Sequence, residues 1–412
     1  MRSMKSVSRN LLAVAAAAGL LAACSGGSSG ASRVAASRIV KIGIDLPLSG
    51  ADASVGISTE QGALLAIEQA QKKGLPGGFT LRADPLDDSL QGVHSPQQGA
   101  SNVRSFVSDA AVLAVVGPYN SNVAAAEIPI TNAAGLAQIG PSVVSDGLTL
   151  GKAAANLRRA NPARNAFFRV CTTDSLQGAA LARFARKLGF GRIYVIDDNE
   201  TYGLDLANRF DHDFRRLGGT VLGHDHLAQD TQDFKSLLIK IAATKPDAIF
   251  FGGVTSTGGG LIRKQMFDVG LGKVPFIGGD GIADLATVAG KLADGAYFTL
   301  AAPNAERLPA ARAFLKAYTA RYHEPIGPYS ANAYAAAQVA IAAIERAIAA
   351  GGGAVPTRAQ VLAQVAATDN LQTPIGPVSF DAAGDIRNPV ISLYGFKNGA
   401  PYFISQSNLT TK

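Results

Sequence analysis

The sequence predicts an α/β protein built from two doubly wound parallel-sheet domains. Three observations carry that expectation. Apolar strand-like runs alternate with amphipathic helical stretches along most of the chain, the pattern of parallel βαβ units. The alternation comes in two successive series, each long enough to make a sheet. The chain has 412 residues, more than one ordinary core accommodates, so two domains are the default.

The first series opens with a strand over 39–46, closed by Pro47. A helix over 58–73 follows, with Ser58 and Gln61 at capping-box spacing and Gly74 as its stop. Next come a strand over 79–83, a helix over 95–108 with Pro96 in its first turn, and a buried strand over 111–116 ahead of Gly117. A helix over 122–134 is expected to kink or stop at Pro129. A strand over 136–139 runs into Gly140-Pro141. The second series places strands at 167–171, 192–196, 221–226, 248–251 and 276–277. Helices over 174–188, 201–217, 231–243 and 257–269 separate them. The tail changes character. Helices over 309–321, 330–349 and 356–366 precede short strands at 377–380 and 390–397, with the turn Asp381-Ala382-Ala383-Gly384-Asp385 between the strands. Those strands are expected to finish the two sheets, which makes each domain discontinuous. No internal repeat is visible.

The first residues speak to the compartment. Arg2, Lys5 and Arg9 form a positive start without an acid, and Leu11 to Ala23 is an unbroken apolar run. A spanning helix needs about 20 apolar residues, so this run reads as the core of an export signal. It ends Leu21-Ala22-Ala23-Cys24, the form of a lipobox. Residues 1–23 are thus expected to be a lipoprotein signal peptide, with Cys24 lipidated. A soluble secreted product with Cys24 incidental is the alternative. Residues 24–37 are expected to be a flexible tether, for the stretch after Cys24 is Gly/Ser-rich. The formal net charge is +7, and three of those charges sit in the leader. No basic cluster with interleaved aromatics occurs, so nucleic acid is not implied. The two cysteines are Cys24 and Cys171. With Cys24 lipidated, Cys171 has no partner and reads as a small buried residue.

Ligands of open α/β sheets bind outside the carboxyl ends of the strands. Three such ends are rich in polar residues and glycine. The first is Val115-Val116-Gly117-Pro118-Tyr119-Asn120-Ser121-Asn122, which runs into a helix. Free N–H groups at a helix start suit a carboxylate, and Ser121 adds a hydroxyl. Simple capping by Ser121 or Asn122 fits the same residues. The second is Gly140-Pro141-Ser142. The third is Gly278-Gly279-Asp280-Gly281, where Asp280 could pair with an ammonium or serve only as a turn aspartate. There is no Gly-x-Ser-x-Gly elbow, P-loop or His-Glu-x-x-His, so no enzyme is expected. His224 and His226 share a face if they lie on a strand, but metal ligation needs further partners, and a solvated face is expected. Asp87-Asp88 and Asp197-Asp198 read as loop caps. No metal and no cofactor is called for.

These residues bring a family into view. The chain resembles the leucine/isoleucine/valine-binding proteins, the type I periplasmic solute-binding proteins of branched-chain amino-acid ABC importers. The likeness covers about 39–397. It rests on Leu48-Ser49-Gly50, Gly62-Ala63, Ala66-Ile67, Val116-Gly117, Phe168-Arg169, Gln177-Gly178, Tyr202-Gly203, Gly252-Gly253 and Gly279-Asp280-Gly281, taken in order. The resemblance implies three crossovers, near Phe168–Cys171, Ala301–Asn304 and Pro374–Pro377. One lobe would hold 38–168 with 302–375, the other 169–301 with 376–412. It implies that Ser121 holds a ligand carboxylate and that the Ser142 loop touches the head group. Asp280 would take the α-ammonium, Tyr202 would close from the second lobe, and Tyr329 would line the side-chain pocket. Tyr119, in the Ser121 loop, belongs to the same set. Departures from the family pattern fall at Val144, which replaces a head-group threonine unless Ser145 substitutes, and at Val55 and Val254, which replace pocket aromatics. The expected partners are an amino acid and an ABC permease. The expected form is a monomer, exported and anchored through Cys24 at the periplasmic or outer cell face. An amide, urea-like or aromatic acid ligand is the alternative, as is a sensor that reports to a membrane receptor.

Overall fold

The computed structural model describes residues 38–228 and 230–409. The expected signal peptide, Cys24 and the tether lie outside them. Two large sheets organise the described chain. In the first, Ile39–Leu46 pairs in parallel with Thr80–Asp87 on one side and Val112–Val116 on the other. Ala137–Gly140 and Phe167–Arg169 extend it. The second sheet repeats the plan. Arg192–Asp197 lies between Thr220–His226 and Ala248–Gly252, followed by Phe276–Gly278 and Ala296–Leu300. In each, the parallel strands run 2-1-3-4-5 by order of appearance. That order is doubly wound, with its switch point between the first and third strands. The fold class expected from the sequence is the one observed.

Sequence and burial explain the elements. Val112–Val116 (VLAVV) and Ala248–Gly252 (AIFFG) are buried at every position, as parallel strands covered on both faces must be. The alanine-rich helix Ser330–Ala350 is buried along most of its length and packs on Ala53–Lys73. The two helices meet so closely that a Cβ on Gly62 would lie 2.0 Å from the Ser330 carbonyl oxygen. Ser330–Ala350 is long and apolar enough to cross a membrane, but its burial in this core accounts for that composition.

Several expectations need correction. The first helix is Ala53–Lys73, not 58–73, because a 3₁₀ turn at Gly50–Asp52 feeds it. Ser58 therefore sits inside the helix and donates to the Val55 carbonyl at 3.1 Å, a back-bond rather than a cap. Ser95 does cap the next helix, accepting from the Gln98 N–H at 3.2 Å. Ser121–Ala134 continues through Pro129. The helix expected over 231–243 is confined to Lys235–Ala243. The one expected over 257–269 opens as a wide turn, Thr255–Gly259, before Gly260–Asp268. In the tail, Gly376–Val378 does not complete the first sheet; it pairs with Leu371–Thr373 in a small hairpin of its own. Val390–Lys397 joins the second sheet, antiparallel to Ala296–Leu300. An unforeseen strand, Ala400–Asn408, pairs beside it. Its signal was Asn398-Gly399, both at positive φ, the dipeptide of a two-residue hairpin turn.

Candidate ligand-binding cleft

Carboxyl ends of strands from both sheets converge on one small cavity, about 20 Å³ in volume. Seven of the nine expected ligand residues line it: Tyr119, Ser121, Ser142, Val144, Tyr202, Val254 and Asp280. Gly117 makes the first loop possible. Its φ is +132°, and a Cβ there would lie 2.1 Å from the Asp45 carbonyl oxygen, so only glycine fits. Two expected residues sit elsewhere. Val55 lines a separate cavity of about 380 Å³ with Ser54, Asp284 and Ile326. Tyr329 is wholly buried and packs edge-on against Tyr119, ring centroids 5.7 Å apart.

Asp280 is gripped from three sides. Its Oδ1 accepts from Gln177 Nε2 at 2.6 Å and from the Tyr202 hydroxyl at 3.1 Å. Its Oδ2 accepts from the Tyr329 hydroxyl at 2.7 Å. Gln177 also bonds Thr299 Oγ1 at 2.9 Å, which fixes the amide. A carboxylate offers about four lone-pair sites, so these donors leave one for a ligand. Burial pushes the Asp280 carboxyl above the ordinary range, and the three donors pull the other way. A cation reaching it would gain a charge-assisted hydrogen bond.

The first sheet supplies the complementary end. The helix Ser121–Ala134 starts at the cavity, and its N-cap residue, Asn120, makes no side-chain cap. The Asn122 side chain accepts from the Val123 N–H at 2.9 Å, which leaves the Ser121 and Asn122 N–H groups and the positive dipole end for an anion. The Ser121 hydroxyl accepts from the Ser145 N–H at 3.3 Å, and Ser142 donates to the Tyr119 carbonyl at 2.9 Å. Ser145 does not replace the hydroxyl missing at Val144. It stands outside the cavity lining, and its own hydroxyl bonds Asp205.

A family model described as periplasmic binding protein matches residues 39–394. The chain belongs to that family. Leu/Ile/Val-binding protein homolog 3 of Brucella melitensis is 28% identical over 363 residues, 87% of this chain and 92% of that one. The branched-chain amino acid transporter substrate binding protein LivJ from Streptococcus pneumoniae, solved in complex with isoleucine, superposes with a TM-score of 0.76. It is 25% identical, and the match covers 90% of this chain and 100% of LivJ. A solute binding protein from R. palustris in complex with benzoate shares the fold at a TM-score of 0.76 and 22% identity, covering 91% and 98%. The resemblance to the Leu/Ile/Val-binding proteins holds. This is a family of exported solute-binding proteins, not of enzymes.

In this periplasmic binding protein a polar clasp, which the sequence did not announce, crosses the cleft beside the cavity. His94 Nδ1 lies 2.7 Å from Asp52 Oδ2, and its Nε2 lies 2.9 Å from Glu200 Oε2. Asn122 donates to the same Glu200 oxygen at 3.1 Å. Ser256 donates to Asp52 at 2.6 Å, and Ser54 to Asp284 at 3.0 Å. Burial opposes a charge on His94, but the bonds to Asp52 and Glu200 outweigh it and push the imidazole up to about 10. Burial, helped by the neighbouring charges of Glu200 and Asp87 respectively, pushes Asp198 up to about 7 and Asp45 up to about 6. A group whose pKa is raised in the folded state binds protons more tightly there, so stability falls as pH rises through its window. That window runs from about 6.5 to about 10 for His94, from about 4 to about 7 for Asp198 and from about 4 to about 6 for Asp45. Contacts with His94 hold Asp52 below the usual range against the push of burial, so its contribution is lost only below about pH 4. The melting temperature is therefore expected to be higher at pH 5 than at pH 9 at constant ionic strength. An equal or higher value at pH 9 would refute this assignment.

The loop that carries Ser142 and Val144 is anchored by Arg169, which is fully buried. Its Nε donates to Asp385 at 2.6 Å. Nη1 donates to the carbonyls of Val143 and Ser145 at 3.0 and 2.7 Å, and Nη2 to Thr149 at 2.5 Å. The sequence marked Arg169 by resemblance only. Cys171 is buried as expected, its thiol pushed up by burial.

Proposed function

We propose that this protein captures a hydrophobic amino acid as its zwitterion and delivers it to an ABC permease. One observation carries this. A single cavity is bordered by the Asp280 carboxyl from the second sheet and by the start of Ser121–Ala134 from the first, where Asn120 makes no side-chain cap. An α-ammonium suits the former and an α-carboxylate the latter. The valines at 144 and 254 add an apolar wall. Tyr202 and Tyr329 hold Asp280 in place, and Ser142 shapes the loop beside it. The two lobes, one built on each large sheet, hinge apart to admit the ligand. A cavity of about 20 Å³ has room for about one water, so binding requires opening and reclosure, with the polar clasp reforming around the ligand. Lipidation at Cys24 tethers the monomer near its permease. A diacylated cysteine carries two chains, enough for stable anchoring.

The test is a thermal-shift screen of the purified protein after unfolding and refolding to strip bound solute. Leucine, isoleucine, valine and phenylalanine are compared with 4-methylpentanoate and benzoate, which lack the ammonium. A ligand at about 100 times its dissociation constant adds roughly 2.7 kcal/mol of stability. We expect shifts with amino acids and none with the two acids. Shifts confined to the acids would replace this ligand class with carboxylic acids such as the benzoate bound by the R. palustris protein.

A further inference from the structure

At the outer margin of the second sheet, away from the cavity lining, three metal-ligating side chains converge. His224 and His226 lie two apart at the end of the strand Thr220–His226 and so share a face. The neighbouring parallel strand ends at Asp197, directly paired with His226. His224 Nε2 and His226 Nδ1 each lie 2.7 Å from Asp197 Oδ2. The ligand atoms of all three residues fall within 4.8 Å of one another. The Asp197 side chain is fully buried, while the His226 side chain is half exposed, so the cluster opens to solvent on one side.

The surroundings suit a metal. Asp197 Oδ1 is held by the Asn199 N–H at 2.8 Å, which aims Oδ2 at the imidazoles. The other ring nitrogen of His224, Nδ1, faces Asp211 Oδ2 at 3.8 Å. A carboxylate behind a ligating histidine is the arrangement that fixes its tautomer. Asp211 is itself bonded to Arg215 through its other oxygen. Among the described residues no arginine or lysine salt bridge reaches Asp197, whose side-chain partners at Oδ2 are the two imidazoles.

We propose that Asp197, His224 and His226 form a zinc site, with solvent in the fourth position. Two imidazoles and one carboxylate with an open place is a recurrent three-ligand zinc set. Zinc bonds of about 2.0–2.2 Å in tetrahedral geometry place ligand atoms roughly 3.3 Å apart. The present 2.7 Å contacts would open by about 0.6 Å, a small side-chain rotation. His224 Nε2 and His226 Nδ1 would face the metal unprotonated, with the protons on His224 Nδ1 toward Asp211 and on His226 Nε2 toward solvent. The metal would tie together two strand ends whose continuation, through Asp198 and Glu200, leads to the cleft.

The experiment is calorimetric titration of Zn²⁺ into the purified protein, freed of metal by a chelator and carrying no histidine tag. Wild type is expected to bind one Zn²⁺ per chain, with a rise in melting temperature. His226→Ala is expected to lose that binding while keeping its metal-free melting temperature. Asp211→Asn should weaken binding by about tenfold or more. Cobalt(II) substitution should give visible absorption bands of a four-coordinate site in wild type and not in His226→Ala. No saturable Zn²⁺ binding to wild type, or unchanged binding in both His224→Gln and His226→Ala, would overturn the proposal.

Discussion

Asp280→Asn is expected to weaken binding of the cognate amino acid by about 30-fold to several thousand-fold. Truncating one member of a buried, hydrogen-bonded charge pair costs about 2–5 kcal/mol, and each 1.4 kcal/mol is a factor of ten in affinity. Asparagine keeps the shape of the side chain and one acceptor for Tyr329 or Gln177, which otherwise bond Asp280 at 2.7 and 2.6 Å. It removes the negative charge and turns an N–H₂ toward part of the site. Alanine is the poorer probe, because it would strand three donors at once, each at about 1–3 kcal/mol. The metal-free and ligand-free protein should keep its melting temperature within a few degrees, since burial of the carboxylate is itself unfavourable. Calorimetry on the refolded variant measures the loss directly. Affinity within threefold of wild type would mean that no ammonium contacts Asp280. A 4-methylpentanoate-type acid, lacking the ammonium, should in turn discriminate little between wild type and variant.

The contrast between Asp280 and the residues around it shows what a sequence can convey. Apolar runs such as Val112–Val116 were legible because both faces are buried, so composition alone carries the burial. Asp280, Ser121 and Ser142 were legible because strand ends followed by glycine, proline and polar residues mark the functional edge of an α/β sheet. Ala400–Asn408 was not, being mixed in polarity and largely exposed, with only its Asn-Gly turn to betray it. The clasp was illegible for a different reason. His94 and Glu200 are 106 residues apart and Asp52 and Ser256 are 204 apart, and no local pattern encodes a meeting of loops carried by two different sheets. Asp197 shows both limits in one residue. It does cap a loop, through Oδ1 and Asn199, as its neighbours suggest; its other oxygen engages two histidines from the adjacent strand. Periodicity gave the shared face of His224 and His226, and only sheet register could supply the carboxylate.

Arg169→Met is expected to destabilise the fold by about 3–5 kcal/mol, the cost of removing one partner of a buried ion pair. Methionine fills much of the volume, so the loss comes from the polar groups left behind rather than from a cavity. Asp385 loses its Nε contact at 2.6 Å, keeping Thr149 at 3.0 Å. The carbonyls of Val143 and Ser145 lose donors at 3.0 and 2.7 Å. Those carbonyls belong to the loop that positions Ser142 and Val144, so ligand affinity should fall together with stability. Denaturant melts followed by calorimetry separate the two effects. The decisive comparison is the double variant Arg169→Met with Asp385→Leu. Replacing a buried pair by apolar residues is often neutral or stabilising, whereas breaking it is not. The double variant should therefore regain part of the stability lost by the single one while the loop stays loosened and affinity stays low. If the double variant's loss relative to wild type equals the sum of the losses in Arg169→Met and Asp385→Leu, the Arg169–Asp385 contact contributes no coupling, and the anchoring of the loop must be assigned to the carbonyl bonds alone.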